Sequence, residues 1–198
     1  MSVPYYEVTC DRCGYAETSL VTVGSFLWRR DSEEGRIDRR LALCADCGGL
    51  APMEVLPDRK LLEAALALRR GRDAHAALPR FRRVFTSPPS PGGEDVESLS
   101  QEPGLETMLA VLDLGRPPAC LFCCGVSIEP LVLDIGGGSE APVPPTLLGR
   151  AHPGCGGALS ARWSGRSDRI APAETTRVYD IYGRLVSREP GWRRPKHR

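Results

Sequence analysis

Four short stretches decide how this sequence is read: Cys10-Asp11-Arg12-Cys13-Gly14, Cys44-Ala45-Asp46-Cys47-Gly48-Gly49, Cys120-Leu121-Phe122-Cys123-Cys124-Gly125 and His152-Pro153-Gly154-Cys155-Gly156-Gly157. Each places two soft ligands three residues apart. Two intervening residues make a tight knuckle that points both ligand atoms at one centre while backbone N–H groups turn toward them. A glycine after the second ligand, as at Gly14, Gly48 and Gly156, relieves the left-handed backbone that such a turn needs. Residues 14–43 separate the first two pairs, a gap of 30, and residues 124–151 separate the last two, a gap of 28. The near-equal gaps suggest one design used twice. On that reading Cys10, Cys13, Cys44 and Cys47 hold one metal ion, and Cys120, Cys123, His152 and Cys155 hold a second. Four soft ligands suit tetrahedral zinc.

Both halves resemble zinc ribbons, small folds built from two metal knuckles and a few antiparallel strands. The resemblance covers residues 5–57 and 117–187. It implies a small, metal-stabilised α+β chain: two zinc ribbons of short antiparallel strands, with one or two helices between them and two zinc ions per chain. Val21-Thr22-Val23 and Ser25-Phe26-Leu27-Trp28 fit strands of the first ribbon, and Leu131-Val132-Leu133-Asp134-Ile135 fits a strand of the second. Cys10-Asp11-Arg12-Cys13-Gly14-Tyr15 is also similar to the first knuckle of rubredoxins, which implies iron in the first site as an alternative and electron transfer as its use. The second knuckle, Cys44-Ala45-Asp46-Cys47-Gly48, lacks the proline usual there.

Composition supports a metal-dependent reading. The chain has 198 residues, 41% hydrophobic and 26% charged, so it is neither a disordered nor a membrane-spanning composition. With 21 glycines, 18 prolines and only 6% aromatic residues, no single large core is expected, and the cysteines stand in for apolar burial. The start, Met1-Ser2-Val3-Pro4-Tyr5-Tyr6, has neither the basic nor the apolar segment of a secretory signal. A cytoplasmic, reducing setting is therefore expected, where ligation is favoured over disulfides.

Between the knuckles the pattern divides the chain into residues 1–57, a first ribbon; 58–85, a helix and basic segment; 86–104, a flexible linker; 105–187, a short helix and second ribbon; and 188–198, a basic tail. Asp58 reads as a helix cap before Leu61, Leu62, Ala65, Leu66 and Leu68 at helical spacing, with Gly71 as the stop. Leu105 to Leu112 reads as a second helix. The alternation from Arg177 to Val186, turning near Gly183, reads as a hairpin finishing the second ribbon.

The net charge is +1, which excludes a chain-wide field for nucleic acid. Charge is nevertheless blocked: residues 58–85 carry eight basic against three acidic groups, and 184–198 carry six against one. Arg80, Arg82, Arg83, Arg193, Arg194 and Lys196 could therefore meet nucleic acid, with Phe81, Phe85 and Trp192 to stack on bases. The same stretch around Phe81 reads equally as an edge strand. His75 and His197 have no ligand spacing and read as solvated. Cys124 is left over: either a spare thiol beside the second site or a group for ligand exchange or redox sensing.

Catalytic signatures are missing. There is no HExxH, nucleophile elbow or Walker motif, and His152 is followed by Pro153-Gly154 rather than the glutamate of zinc deaminases. Four ligands at each site leave no open position for water. The expectation is a non-enzymatic zinc-binding protein that acts as a protein-interaction or adaptor module. A nucleic-acid-binding ribbon protein is the first alternative, and a rubredoxin-like iron protein the second.

Overall fold

The computed structural model describes residues 2–76, 96–133, 145–169 and 175–190. Its strands are β1 (Ser2–Cys10), β2 (Ala16–Thr18), β3 (Ser25–Arg30), β4 (Glu33–Arg36), β5 (Asp38–Cys44), β6 (Gly49–Val55), β7 (Ile128–Pro130), β8 (Thr146–Ala151), β9 (Ala158–Arg169), β10 (Thr176–Asp180) and β11 (Leu185–Glu189). Its helices are α1 (Arg59–Ala76), α2 (Val96–Leu99) and α3 (Leu105–Asp113). This is a small α+β arrangement, and its strand pairs are antiparallel apart from β3 with β10.

The strands form three sheets, in the orders β2-β1-β9-β8, β11-β10-β3-β4 and β6-β5-β7. Every sheet mixes strands from before and after α1. β1 runs against β9 with Cys10 opposite Leu159, β3 runs beside β10 with Trp28 opposite Tyr179, and β5 runs against β7 with Cys44 opposite Ile128. The expected hairpin is present, with Gly183 in the left-handed region at φ 84° and Asp180 accepting from Gly183 N–H at 3.0 Å. It does not finish a second ribbon, however. It joins β3 near the start of the chain.

Two strand expectations shift. Val21 and Thr22 lie in a 3-10 turn, Ser19–Thr22, closed by Val23 N–H on the Leu20 carbonyl at 2.8 Å and by Thr22 Oγ1 on the Ser19 carbonyl at 3.1 Å. These local bonds compete with a β ladder. The strand expected from Leu131 begins and ends earlier, as β7, because the ladder to β5 is set by Cys44 opposite Ile128. Leu131 is buried there and Val132 is exposed, while Asp134 and Ile135 lie outside the described residues.

A sizeable core exists despite the low aromatic content. Phe26, Trp28, Ile37, Leu62, Leu66, Leu105, Val111 and Tyr179 belong to one core where α3 lies against β3 and β4 and α1 packs on α3. The few aromatics are concentrated: Trp28, Tyr179 and Phe26 are the largest fully buried side chains among the described residues. Asp58 caps α1, accepting Leu61 N–H on Oδ1 at 3.0 Å. Gly71 does not stop α1, which runs on to Ala76. One glycine inside a helix costs only about 1 kcal/mol, and tertiary contacts hold this turn: Arg69 donates to the carbonyls of Ser100 and Glu102, and Arg72 pairs with Glu97 at 3.1 Å.

Those contacts also correct the linker. Residues 77–95 lie outside the described residues, but 96–104 are not a spacer. Val96–Leu99 is a helical turn with Leu99 in the core. Gly104, at φ 76°, lies so close to β4 that a Cβ there would meet the Glu34 carbonyl oxygen at 2.3 Å.

A buried ion pair fastens the second half to the first. Glu54 on β6 is 1% exposed and Arg116 is 14% exposed. Arg116 grips both carboxylate oxygens at 2.5 and 2.6 Å, while Trp28 Nε1 donates to Oε1 at 2.8 Å. The Ala119 N–H reaches Oε2 at 3.3 Å, and the Glu54 N–H returns a bond to the Ala119 carbonyl at 3.0 Å. Ala119 immediately precedes Cys120, so this network sets the approach of the third knuckle.

Candidate metal centres

Each knuckle follows the same local plan. The residue after the second ligand takes a left-handed backbone: Gly14 at φ 70°, Gly48 at 71°, Gly156 at 70° and Cys124 at 64°. The turn is closed across five residues, by Cys10 N–H to the Tyr15 carbonyl at 2.9 Å, Cys120 to Gly125 at 2.8 Å and His152 to Gly157 at 2.7 Å. Cys44 and Gly49 face each other at the same interval as the last rung between β5 and β6. Amide groups then point at sulfur: Arg12 N–H at Cys10 Sγ (3.5 Å), Cys47 at Cys44, Phe122 at Cys120, Gly125 at Cys123 and Gly157 at Cys155 (3.4 Å each). Such donors favour the thiolate.

The structure brings all eight ligand residues expected from the sequence into two groups of four. The ligand atoms of each group lie within 4.8 Å of one another. The grouping differs from the expected one. Cys10 and Cys13 face His152 and Cys155, while Cys44 and Cys47 face Cys120 and Cys123. The sets Cys10/Cys13/Cys44/Cys47 and Cys120/Cys123/His152/Cys155 are not formed. The physical reason is strand pairing. β1 delivers the first knuckle to β9, which leaves the fourth; Asp11 secures it, accepting Ala158 N–H on Oδ1 at 2.8 Å. β5 delivers the second knuckle to β7, which leaves the third, with Ala45 N–H on the Ser127 carbonyl at 2.9 Å. The first and fourth knuckles thus pair at one centre, and the second and third at the other.

Glycines make the paired knuckles fit. A Cβ on Gly157 would lie 2.6 Å from Cys10 Sγ, and one on Gly125 would lie 2.0 Å from Asp46 Oδ2. Each of these glycines sits two residues past the second ligand of its own knuckle and clears space for the opposing one.

In the mixed centre, Cys10 Sγ and Cys155 Sγ are 3.5 Å apart, and His152 Nδ1 is 3.3 Å from both Cys13 Sγ and Cys155 Sγ. In the all-cysteine centre, Cys44–Cys123 and Cys47–Cys120 separations are 3.6 and 3.7 Å. A zinc tetrahedron with Zn–S arms of about 2.3 Å has S···S edges of about 3.8 Å. A disulfide would bring the sulfurs to about 2.05 Å. The observed separations match the edges of a tetrahedron, and both groups could hold a metal ion.

His152 is only 5% exposed and its proton placement is fixed by surroundings. Nδ1 faces the sulfurs. Nε2 donates to the Gly48 carbonyl at 2.8 Å. The Tyr15 ring stacks on the imidazole with centroids 4.4 Å apart.

Electrostatics show what a cation would do. In the mixed centre the Arg12 N–H holds the Cys10 thiol below the usual range. In the all-cysteine centre burial pushes Cys120 up to about 12, and burial followed by the bonds to Cys123 and Cys120 pushes Cys47 up. Cys123 is driven up by burial but more strongly down by Gly125 N–H and its neighbouring thiols, so it ends below the ordinary value. Four sulfurs packed this closely cannot all ionise without a positive charge between them.

Cys124 belongs to neither group. It is half-buried against the main core, in the knuckle position that is glycine in the other three. Of the residues considered for nucleic acid, Arg80, Arg82, Arg83, Arg193, Arg194 and Lys196 lie outside the described residues, as does His197. No described helix is long and apolar enough to cross a membrane. Comparison with protein-family models, with curated proteins and with solved structures finds no match for this chain.

Proposed function

We propose that this chain is a non-catalytic zinc-binding protein that carries two zinc ions and acts as a protein-interaction or adaptor module. The observation that carries the reading is the pair of four-ligand groups with tetrahedral edge lengths. Soft sulfur and imidazole ligands in that geometry favour zinc. The mixed centre replaces one thiolate by His152, so the four-cysteine set that would make the first knuckle rubredoxin-like is not the one formed around Cys10.

Three features support a structural rather than catalytic metal. Each centre has four protein ligands, which leaves no position for water or substrate. Each centre joins strands far apart in the sequence, β1 to β9 and β5 to β7. Binding a structural zinc contributes on the order of 10 kcal/mol to folding, which offsets the entropy of closing such long loops. A scaffold held this way presents its surface to a partner, and the near-neutral net charge of +1 favours protein over nucleic acid.

Elemental analysis with a visible spectrum tests the metal. Two zinc per chain and a colourless sample are expected; iron with visible absorption would overturn the zinc assignment. For the adaptor reading, titration with a single-stranded oligonucleotide at low salt should show no salt-dependent binding. Binding that weakens steeply with salt would overturn it in favour of nucleic acid.

A further inference from the structure

The two centres touch. His152, a ligand of the mixed centre, donates its Nε2–H to the carbonyl of Gly48, the residue that follows the ligand Cys47 of the other centre. Tyr15, two residues past Cys13, stacks on that same imidazole at 4.4 Å, and its hydroxyl accepts the Leu50 N–H at 2.7 Å. Gly49 lies directly under the tyrosine: a Cβ there would be 2.6 Å from the hydroxyl oxygen. One knuckle of the mixed centre and its histidine therefore grip the turn 47–50 of the all-cysteine centre through two hydrogen bonds and a close ring contact.

Each metal orders a partner the other needs. A cation on Nδ1 fixes the imidazole plane and polarises Nε2–H, which strengthens its bond to Gly48. A cation among Cys44, Cys47, Cys120 and Cys123 fixes the turn that carries Gly48 and Leu50, which holds the acceptor for His152 and the donor for Tyr15 in place. We infer that the two metal sites load cooperatively, coupled through the His152–Gly48 and Tyr15–Leu50 contacts. This rests on reading both groups as zinc sites. Coupling between sites is typically about 5- to 150-fold in affinity and is reciprocal.

The test uses the full chain, stripped of metal and titrated with zinc against a competing chelator. The affinity of the mixed centre is compared between the unaltered chain and Cys47→Ser/Cys123→Ser, and that of the all-cysteine centre between the unaltered chain and Cys13→Ser/Cys155→Ser. Each disabled centre should weaken its neighbour about 5- to 150-fold, by the same factor both ways. Equal affinities with and without the neighbour would overturn the inference. Tyr15→Phe and Gly49→Ala leave all eight ligands in place and disturb only the bridge, so they remain informative if the double variants do not fold. Both should still take two zinc, with a shallower titration than the unaltered chain. A titration as steep as the unaltered chain's in both variants would overturn the coupling. Failure of the unaltered chain to bind zinc would instead show as zero stoichiometry, overturning the zinc reading and this inference together.

Discussion

Replacing Glu54 with alanine should be among the most destabilising single changes outside the ligands. The carboxylate is almost wholly buried and accepts from Arg116, Trp28 and Ala119. Its removal leaves the guanidinium of Arg116, itself largely buried, with no counter-charge in that network, and leaves the Trp28 N–H without its acceptor. Breaking one side of a buried pair costs about 3–5 kcal/mol, and an orphaned buried donor alone costs about 1–3 kcal/mol. Against a total stability of about 5–15 kcal/mol for a domain, that is a large share. The assay is urea unfolding at fixed excess zinc, followed by tryptophan fluorescence, which Trp28 contributes to directly. Glu54→Gln should fall between the parent and Glu54→Ala, because the amide oxygen still serves Trp28 while the charge is gone. Glu54→Met combined with Arg116→Met should recover only the part of the loss due to the unpaired guanidinium, since an apolar pair of similar volume is often no worse than a buried ion pair. The Trp28 N–H still lacks its acceptor, so the double variant should stay about 1–3 kcal/mol below the parent. A loss below about 1 kcal/mol for Glu54→Ala would refute the reasoning that this network joins the halves.

Gly104→Ala should lower the melting temperature markedly, because its Cβ would meet the Glu34 carbonyl at 2.3 Å with φ at 76°, and strain of that kind costs about 1–3 kcal/mol or more; calorimetry checks it. Cys124→Ser should leave zinc content at two per chain by elemental analysis, since Cys124 is in neither ligand group. Zinc affinity at the all-cysteine centre should rise with pH. Burial pushes the Cys120 thiol up to about 12, so it is protonated in the metal-free chain at neutral pH, and zinc must displace that proton. Chelator competition at a series of pH values measures the slope.

The local chemistry of the centres was legible in the sequence, and their assembly was not. The Cys-x-x-Cys and His-x-x-Cys spacings, and Gly14, Gly48 and Gly156 after them, specify the knuckle through short-range geometry alone. Asp58 announced α1 in the same way, and Gly183 the last hairpin. Which knuckles meet is decided by long-range pairing, β1 finding β9 and β5 finding β7, and near-equal gaps of 30 and 28 residues carry no information about that. A weaker signal was present in the second glycines, Gly49, Gly125 and Gly157, whose missing side chains make room for an opposing knuckle or for Tyr15. Glu54 was equally silent. Nothing in Met53-Glu54-Val55 distinguishes a buried ion pair from a solvent-facing strand residue until Arg116 is placed beside it.

The nested pairing of the knuckles, first with fourth and second with third, is the central claim, and zinc counting on two double variants of the full chain tests it most directly. Cys10→Ser/Cys155→Ser breaks only the mixed centre if the pairing is nested, so that chain should retain one zinc. Cys10→Ser/Cys44→Ser breaks both centres and should retain none. The reverse result, none for the first variant and one for the second, would mean that each half of the chain holds its own metal and would contradict the account.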